Sequence, residues 1–533
     1  MRNFTFLTLL FLVFNISFSQ ETIGLIYDDI NEEKADGYTL FKPTSDQRVF
    51  LINNCGEVVN EWTFSGSNAR NAYLLENGNL LQSSTLQADI RDWDNNLIWS
   101  LDYEDTFGWT IHHDIEPLPN GNFLVLVRDI YSDVEMSALG MSAAYINAVT
   151  VLERIVEIEP VGTNSANIVW EWKLIDHLIQ DFDNTKPNFG VVADNPQLYN
   201  VNYDNGNGSN PIHANAIDYN EDLDQIIVSA RHLSEVFVID HSTTTAEAAT
   251  SSGGLYGKGG DFLWRWGNLE VYDKGTALDR TLGRQHDVKW ITEGPHQGKI
   301  SVFSNDGYGS NMTASSVHII DPNGVNGVYG LDASGKFLPA TYDWSWDGTI
   351  MGLVMHAPAQ CGFQTLPNGN ALINESDIGR ITEINSNGDV IWVYRIPVGA
   401  GVEYTQFSEP VGNGAFRAHR YPSDYPGFDG VTFNNTGKIE DINSLTDDCV
   451  NRLSIEETSL AEFKAYPNPT RGEVNFEVNQ PIDLIEVYTI TGQKVLSKAS
   501  SDKIDLTNLS NGMYMLKLYL GNTNEYVKVL KDN

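Results

Sequence analysis

The chain has 533 residues, 33 of them Lys or Arg and 71 Asp or Glu, for a formal charge of −38 at pH 7. A surface this acidic repels nucleic-acid phosphates and anionic membranes, which excludes binding driven by counterion release. Three cysteines, Cys55, Cys361 and Cys449, leave room for one pair with a thiol over; they make no disulfide framework and lack the Cys-x-x-Cys spacing of a zinc site.

The opening run MRNFTFLTLLFLVFNISFSQ places Arg2 before an apolar core from about Phe4 to Phe14, with small residues before Gln20. That order predicts a secretory signal peptide over residues 1–20, cleaved near Ser19–Glu21. No later segment has the 18 or more apolar residues of a membrane span, so a soluble exported protein without a span is expected.

Residues 21–425 repeat a strand grammar. NAYLLENGNLLQSS (71–84), HHDIEPLPNGNFLVLV (112–127) and QCGFQTLPNGNALINES (360–376) each read strand, Asn-Gly-Asn turn, strand, because Asn-Gly accepts the positive φ of a tight hairpin. A second hairpin, VFLINNCGEVVNEWTF (49–64), is matched by RITEINSNGDVIWVYR (380–395), and each closes on a Trp. Closing strands with a Trp recur at Trp62, Trp99, Trp170, Trp264, Trp344 and Trp392. Two hairpins per unit and about six units predict an all-β, six-bladed β-propeller, in which radial repetition shelters short strand edges. The stretches 130–165 and 242–262 read as insertions. Residues 402–421 are the expected partner of the unpaired hairpin 49–64, closing the ring from both chain ends. Residues 426–462, polar and acidic, read as a linker. Pro467, Gly472, Gly492 and Gly512 then punctuate short alternating strands, predicting a small C-terminal β-sandwich over 463–533.

Histidines open strands in four units: His112 and His113, His213, His286 and His356. Inner strands of a propeller line its axis, so these positions are expected to converge. Strand alternation allows only one of His112 and His113 to face that channel; His113 is favoured, since its His-Asp-(Ile/Val) context matches His286. In NPIHANAIDYNEDLDQIIVSARHLSEVFVID (210–240), His213 and Asn215 share a face, and an antiparallel hairpin returns Arg231 beside His213. A guanidinium there matches the geometry of an oxyanion. From the residues alone, three readings stand: a zinc, copper or iron set in a metal-dependent hydrolase, which Asp114 or Glu116 could complete; purely structural histidines; and a non-catalytic ligand-binding propeller. The run Asp218–Asp224 reads as an acidic hairpin turn rather than a calcium loop.

Three motifs, HHDIEPLPNGN, the His213–Arg231 hairpin and GRQHDV around His286, resemble the arylsulfate sulfotransferase family of six-bladed propellers over most of 40–420. The resemblance implies transfer of a sulfuryl group from a phenolic sulfate ester to a phenol through a sulfohistidine, with no phosphoadenosine donor and no cofactor. It implies His286 as nucleophile, His213 and Arg231 on the sulfuryl oxygens with Asn215 in the same motif, and His113 or His112 as a further active-site histidine. His356 joins this set from the blade argument; Asp287 could orient a ring nitrogen from behind, though its place next to His286 in the chain is expected to point it away. No closely spaced cysteine pair matches the disulfide of the enterobacterial members. The tail, with YPNP (466–469), TGQKV (491–495) and a Leu-x-x-Gly-x-Tyr run (509–514), resembles the sorting domain of the type IX secretion system. That implies the secretion machinery as a partner and a secreted or cell-surface location.

Overall fold

The computed structural model describes residues 22–64, 71–307, 314–440, 464–477, 481–489, 494–520 and 523–532. The expected signal peptide lies outside the described residues. The chain is all-β with a few short helices, and divides into two compact units, one ending at Ser444 and one starting at Leu445.

Among the described residues, the first unit holds six antiparallel sheets of four or five strands. Four follow a plain up-and-down order in the chain. The second sheet comprises Asn71–Leu74, Leu80–Ser83, Gln87–Arg91 and Leu97–Asp102. The third comprises Ile111–Pro117, Phe123–Ser132, Val149–Val161 and Ser165–Lys173. The fourth comprises Ala214–Asn220, Gln225–Ala230, Glu235–Asp240 and Trp264–Trp266, and the fifth His286–Trp290, Ile300–Ser304, Ser316–Ile320 and Trp344–Trp346.

The other two sheets join distant parts of the chain. In the sixth, Gly24–Asp28 adds to the outer strand Val390–Arg395 of a sheet that begins at Gly362–Thr365. In the seam sheet, Ala415–Tyr421 pairs with Tyr38–Pro43, which leads into Arg48–Ile52 and Val58–Thr63. The residues expected to close the ring do pair there. Their direct partner is Tyr38–Pro43, a strand that no hairpin signal marks in the sequence.

The recurrent tryptophans have a common task. All six expected positions lie on the outermost strand of the four-strand repeat. Indole N–H groups from these strands donate to a backbone carbonyl of the next sheet. Trp62 bonds Asp92 O (2.9 Å), Trp99 bonds Ser165 O (2.9 Å), and Trp172 bonds Gly260 O (2.7 Å). Trp264 bonds Leu338 O (2.6 Å), Trp346 bonds Gly388 O (3.0 Å), and Trp392 bonds Asn54 O (2.8 Å), returning to the seam sheet. A buried indole needs such an acceptor, and truncating one costs about 3–5 kcal/mol. The apolar clusters sit between neighbouring sheets, as where Trp99, Phe123 and Ile158 meet, or Phe41, Phe50 and Tyr394.

Two stretches differ from their expected form. Much of 130–165 is strand, since Phe123–Ser132 and Val149–Val161 run on as one long hairpin around a short helix, Asp133–Ala138. Residues 426–440, expected in the linker, lie along the strand Val58–Thr63. Asn434 and Thr436 N–H donate to Val59 and Val58 carbonyls, and Val58 N–H donates to Gly437 O. Phe428, Ile439 and Glu440 are buried, so this segment covers an outer edge that would otherwise carry open backbone groups.

The second unit has one sheet of Lys464–Tyr466, Glu473–Glu477 and Lys503–Asp505. Another is ordered Lys494–Ala499, Leu484–Thr489, Gly512–Leu520 and Thr523–Lys531. Val474 and Ile504 from the first share an apolar cluster with Ile485, Val487, Leu516 and Leu518 from the second.

Candidate active site

Four inner strands begin with an irregularity. Left-handed φ occurs at His113 (60°), His213 (54°), Asp287 (53°) and Cys361 (84°), each at or beside the start of an inner strand. The ladders slip at Val125/Val127, Ala214/Ala216 and His286/Lys289. Side chains with Cβ rarely adopt this backbone, and bulges of this kind re-aim side chains beside functional sites. The alternation rule therefore fails at His112 and His113. Both rings meet, Nδ1 to Nδ1 at 2.9 Å, with His112 buried and His113 half-buried.

The rings gather as a chain. His113 packs edge-on against His213 at 4.6 Å between centroids, and His213 stacks on His232 at 4.4 Å. Phe416, from the seam sheet, lies 6.2 Å from His113 and 6.3 Å from His286. Arg231 sits on the turn after Gln225–Ala230, with its N–H on His213 O at 3.2 Å. Among the described residues, its half-buried guanidinium meets no hydrogen-bond acceptor and no carboxylate within ion-pair distance. Burial, with Arg284 nearby, lowers its pKa. An open guanidinium in a chain with this excess of acids is a place for an anion.

His286 is 2 % exposed and held at both nitrogens. Nδ1 lies 2.5 Å from Asn305 Oδ1, and Nε2 accepts the Gln360 N–H at 3.2 Å. The Asn305 amide is itself oriented, because its Nδ2 donates to Ala357 O (2.8 Å) and Gln360 O (3.0 Å). Its oxygen therefore faces the ring, Nδ1 carries the proton, and Nε2 bears the ring's one lone pair, which accepts the Gln360 N–H. Burial first, then Arg417, pushes the His286 pKa well below its ordinary value. Burial, with His232 and His112 beside it, pushes His213 down to about 3. Both rings are neutral at pH 7.

Asp287 does not orient the ring. Its carboxylate pairs with Arg417 Nε at 2.7 Å and accepts Phe363 N–H at 2.7 Å. Arg417 also bonds Cys361 O (2.7 Å) and Asn215 O (3.3 Å), so one buried guanidinium ties the seam, fourth, fifth and sixth sheets behind His286. Asn215 is buried with its Nδ2 on Gln285 O at 2.8 Å, bracing the strand that leads to His286. His356 stands apart. It is exposed in the connection before Gly362–Thr365, and its backbone bonds the Glu375 carboxyl. The sixth-sheet position equivalent to the other histidines falls at Gln360 and Cys361, because the inner strand starts later than the spacing suggested.

Farther along the inner strands, Lys289 bridges Glu116 (2.7 Å) and Asp218 (3.0 Å), while Asp114 accepts from Tyr73 OH (2.7 Å). The carboxylates weighed as metal ligands are thus engaged with Lys289 and Tyr73. Among the described residues, no group of three or more His, Cys, Asp or Glu is arranged to hold a metal ion. Asn220–Asp224 is a hairpin turn, with Asp224 bonded to Tyr219 OH and His241. Cys55 is disulfide-bonded and Cys361 is a buried free thiol.

Residues missed from the sequence are Asn305, Arg417, Phe416 and Glu153. For Arg417 a signal existed, since AFRAHRY sets charged residues within an otherwise apolar closing strand. For Asn305 and Glu153 none did.

The secretion system C-terminal sorting domain model matches residues 464–532, so the chain is a type IX secretion cargo, bound for the cell surface or the extracellular space. No curated protein matches the chain. Among solved structures, a protein of unknown function from Bacteroides caccae is 14% identical. It covers 68% of this chain and 94% of its own, with a TM-score of 0.37. A streptogramin B lyase is 10% identical, covering 74% and 91%, with a TM-score of 0.33. A virginiamycin B lyase from Staphylococcus aureus with quinupristin is 10% identical, covering 71% and 90%, with a TM-score of 0.33. Likenesses this distant say nothing about the site. The arylsulfotransferase family model matches residues 72–396, a span that contains His112, His113, His213, Arg231 and His286, and the chain belongs to the arylsulfotransferase family.

Proposed function

We propose that the protein transfers a sulfuryl group from a phenolic sulfate ester to a phenol, through a sulfohistidine at His286 Nε2. We read the six sheets as the blades of a β-propeller and the second unit as a β-sandwich that serves export only. The observation that carries the reading is the pairing of a neutral, tautomer-fixed imidazole with an open guanidinium at one pocket.

In the first step the Nε2 lone pair forms the N–S bond, and the S–O(aryl) bond breaks with its electrons on the departing phenolate. In the second, the acceptor oxygen attacks sulfur and the N–S electrons return to Nε2. Such transfers are loose, so the protein contributes position and charge. Arg231 holds sulfuryl oxygens, with the neutral His213 as a hydrogen-bond donor beside it. The Gln360 N–H, already 3.2 Å from Nε2, turns to a sulfuryl oxygen once sulfur occupies that lone pair. His213, neutral at pH 7, is no source of a full proton.

The test is release of 4-nitrophenol from 4-nitrophenyl sulfate, with and without phenol. Wild type shows a burst and acceptor-dependent turnover, and mass spectrometry finds one sulfuryl group on His286. Turnover by His286→Ala at the wild-type rate, or sulfuryl on another residue, refutes the assignment.

A further inference from the structure

The fully neutral His213 and His286 leave one chemical need unmet. A phenolate of ordinary basicity leaves slowly without a proton, and an incoming phenol attacks slowly while it keeps its own. The pocket has another pair of imidazoles, and behind it a carboxylate on a different strand. Glu153, on Val149–Val161, is 1 % exposed. Its Oε1 accepts Ala214 N–H at 2.8 Å, and its Oε2 lies 2.9 Å from His112 Nε2. His112 is 4 % exposed, and its Nδ1 lies 2.9 Å from His113 Nδ1. His113 stands at the half-buried end of this line, against His213 and Phe416.

We propose that Glu153, His112 and His113 form a proton relay in which His113 is the general acid and base of sulfuryl transfer, and Glu153 and His112 are its positioning residues. This rests on the sulfotransferase reading. A carboxylate has no proton to give, so His112 Nε2–H donates to Glu153. His112 Nδ1 then accepts from His113 Nδ1–H, which makes Nε2 the basic nitrogen of His113. When His113 Nε2 takes the acceptor's phenolic proton, the Nδ1 proton passes to His112. The positive charge comes to rest on His112, beside the Glu153 carboxylate. In the donor half of the cycle the motion reverses, and the departing phenolate leaves with the proton from His113 Nε2–H. One proton enters with each acceptor and one leaves with each product phenol. Other charged and titratable groups near the relay are Arg128, across from Thr110 on the adjacent strand, His213, His232 and Arg231 from the fourth sheet, and Asp114 on the same strand.

Glu153→Gln tests this directly. The side-chain oxygen keeps Ala214 N–H, while the amide NH₂ donates to His112 Nε2. The relay then runs backwards and His113 Nε2 is no longer the base. With 4-nitrophenyl sulfate, whose phenolate needs little help from a proton, the burst rate should fall by at least about tenfold less than the rates with unactivated phenols. With phenyl sulfate as donor, and for transfer to unsubstituted phenol, rates should fall by about 10²–10³, the usual weight of general acid–base catalysis. Equal losses with both donors, or no loss with either, overturn the relay. A second measurement does not need turnover. In ¹⁵N-histidine-labelled protein, at a pH high enough to empty the relay of its extra proton, wild type should show His112 protonated at Nε2 and His113 protonated at Nδ1, and Glu153→Gln should reverse both. Wild-type rings found in other tautomers refute the relay, whatever the assays give. A protein with these tautomers but no turnover of any aryl sulfate instead refutes the sulfotransferase reading and leaves the relay's geometry standing.

Discussion

His241 links two sheets through charge, and its removal should change how stability depends on pH. The ring lies between Trp170 and Tyr219, with Nδ1 2.7 Å from Asp224 Oδ1 and Nε2 3.0 Å from Glu157 Oε2. Both nitrogens face carboxylates, so both must carry protons. Burial alone would lower the pKa; the two carboxylates outweigh it and raise the ring from 6.5 to about 9. A group raised on folding stabilises the fold fully below its unfolded value and loses that contribution as pH climbs through its folded one. The window is therefore pH 6.5 to 9. A tenfold change in proton affinity is worth about 1.4 kcal/mol, so the bridge contributes roughly 3 kcal/mol at most. Asp224 is 38% exposed, and solvent screening trims this to about 2 kcal/mol. The assay is urea unfolding followed by Trp fluorescence, which reports the first unit alone because all 12 tryptophans lie before residue 393. Against wild type, His241→Gln should lose about 2 kcal/mol at pH 6 and well under 1 kcal/mol at pH 10. A difference that stays level across that range refutes the charged bridge.

Arg231→Lys should reduce kcat/KM by about 10²–10³ with an unchanged unfolding midpoint, since a point charge cannot match the planar fork; steady-state kinetics and urea melts check both halves. Asn305→Asp should raise the His286 pKa by placing a carboxylate on Nδ1, so the acid limb of the burst rate moves to higher pH by about one unit or more. An unmoved limb means that Asn305 does not set the ring. Arg417→Met leaves Asp287 and Asp114 buried without their cation and should cost about 3–5 kcal/mol, read from the urea midpoint. Removing residues 464–533 should leave the protein inside the cell envelope, as cell fractionation would show.

Much of the fold was legible because it is written locally. Asn-Gly turns and the Trp of each outer strand recur at readable spacing, and the indole bonds explain why that Trp is repeated. The histidines were legible for the same reason, as residues beside a repeated strand start. Legibility ended where the backbone departs from ideal alternation. Left-handed φ at His113 brings two adjacent rings together, which no periodicity argument allows. His356 shows the converse, because a matching residue type before a strand stood in the wrong backbone position. Asn305 and Glu153 are defined by what they touch across sheets, and nothing in their own surroundings along the chain announces it; Arg417 is marked only by its charge within an apolar closing strand.

The strand Ala415–Tyr421 has a consequence for timing. It carries Phe416 and Arg417, and it pairs with Tyr38–Pro43. During synthesis these two residues emerge after every other group placed against His286. Until the last strand docks beside one of the first made, His286 lacks its aromatic wall and Asp287 its cation. On the sulfotransferase reading, a chain that has not yet docked this strand has an incomplete pocket, so completing the fold and completing the site are one event.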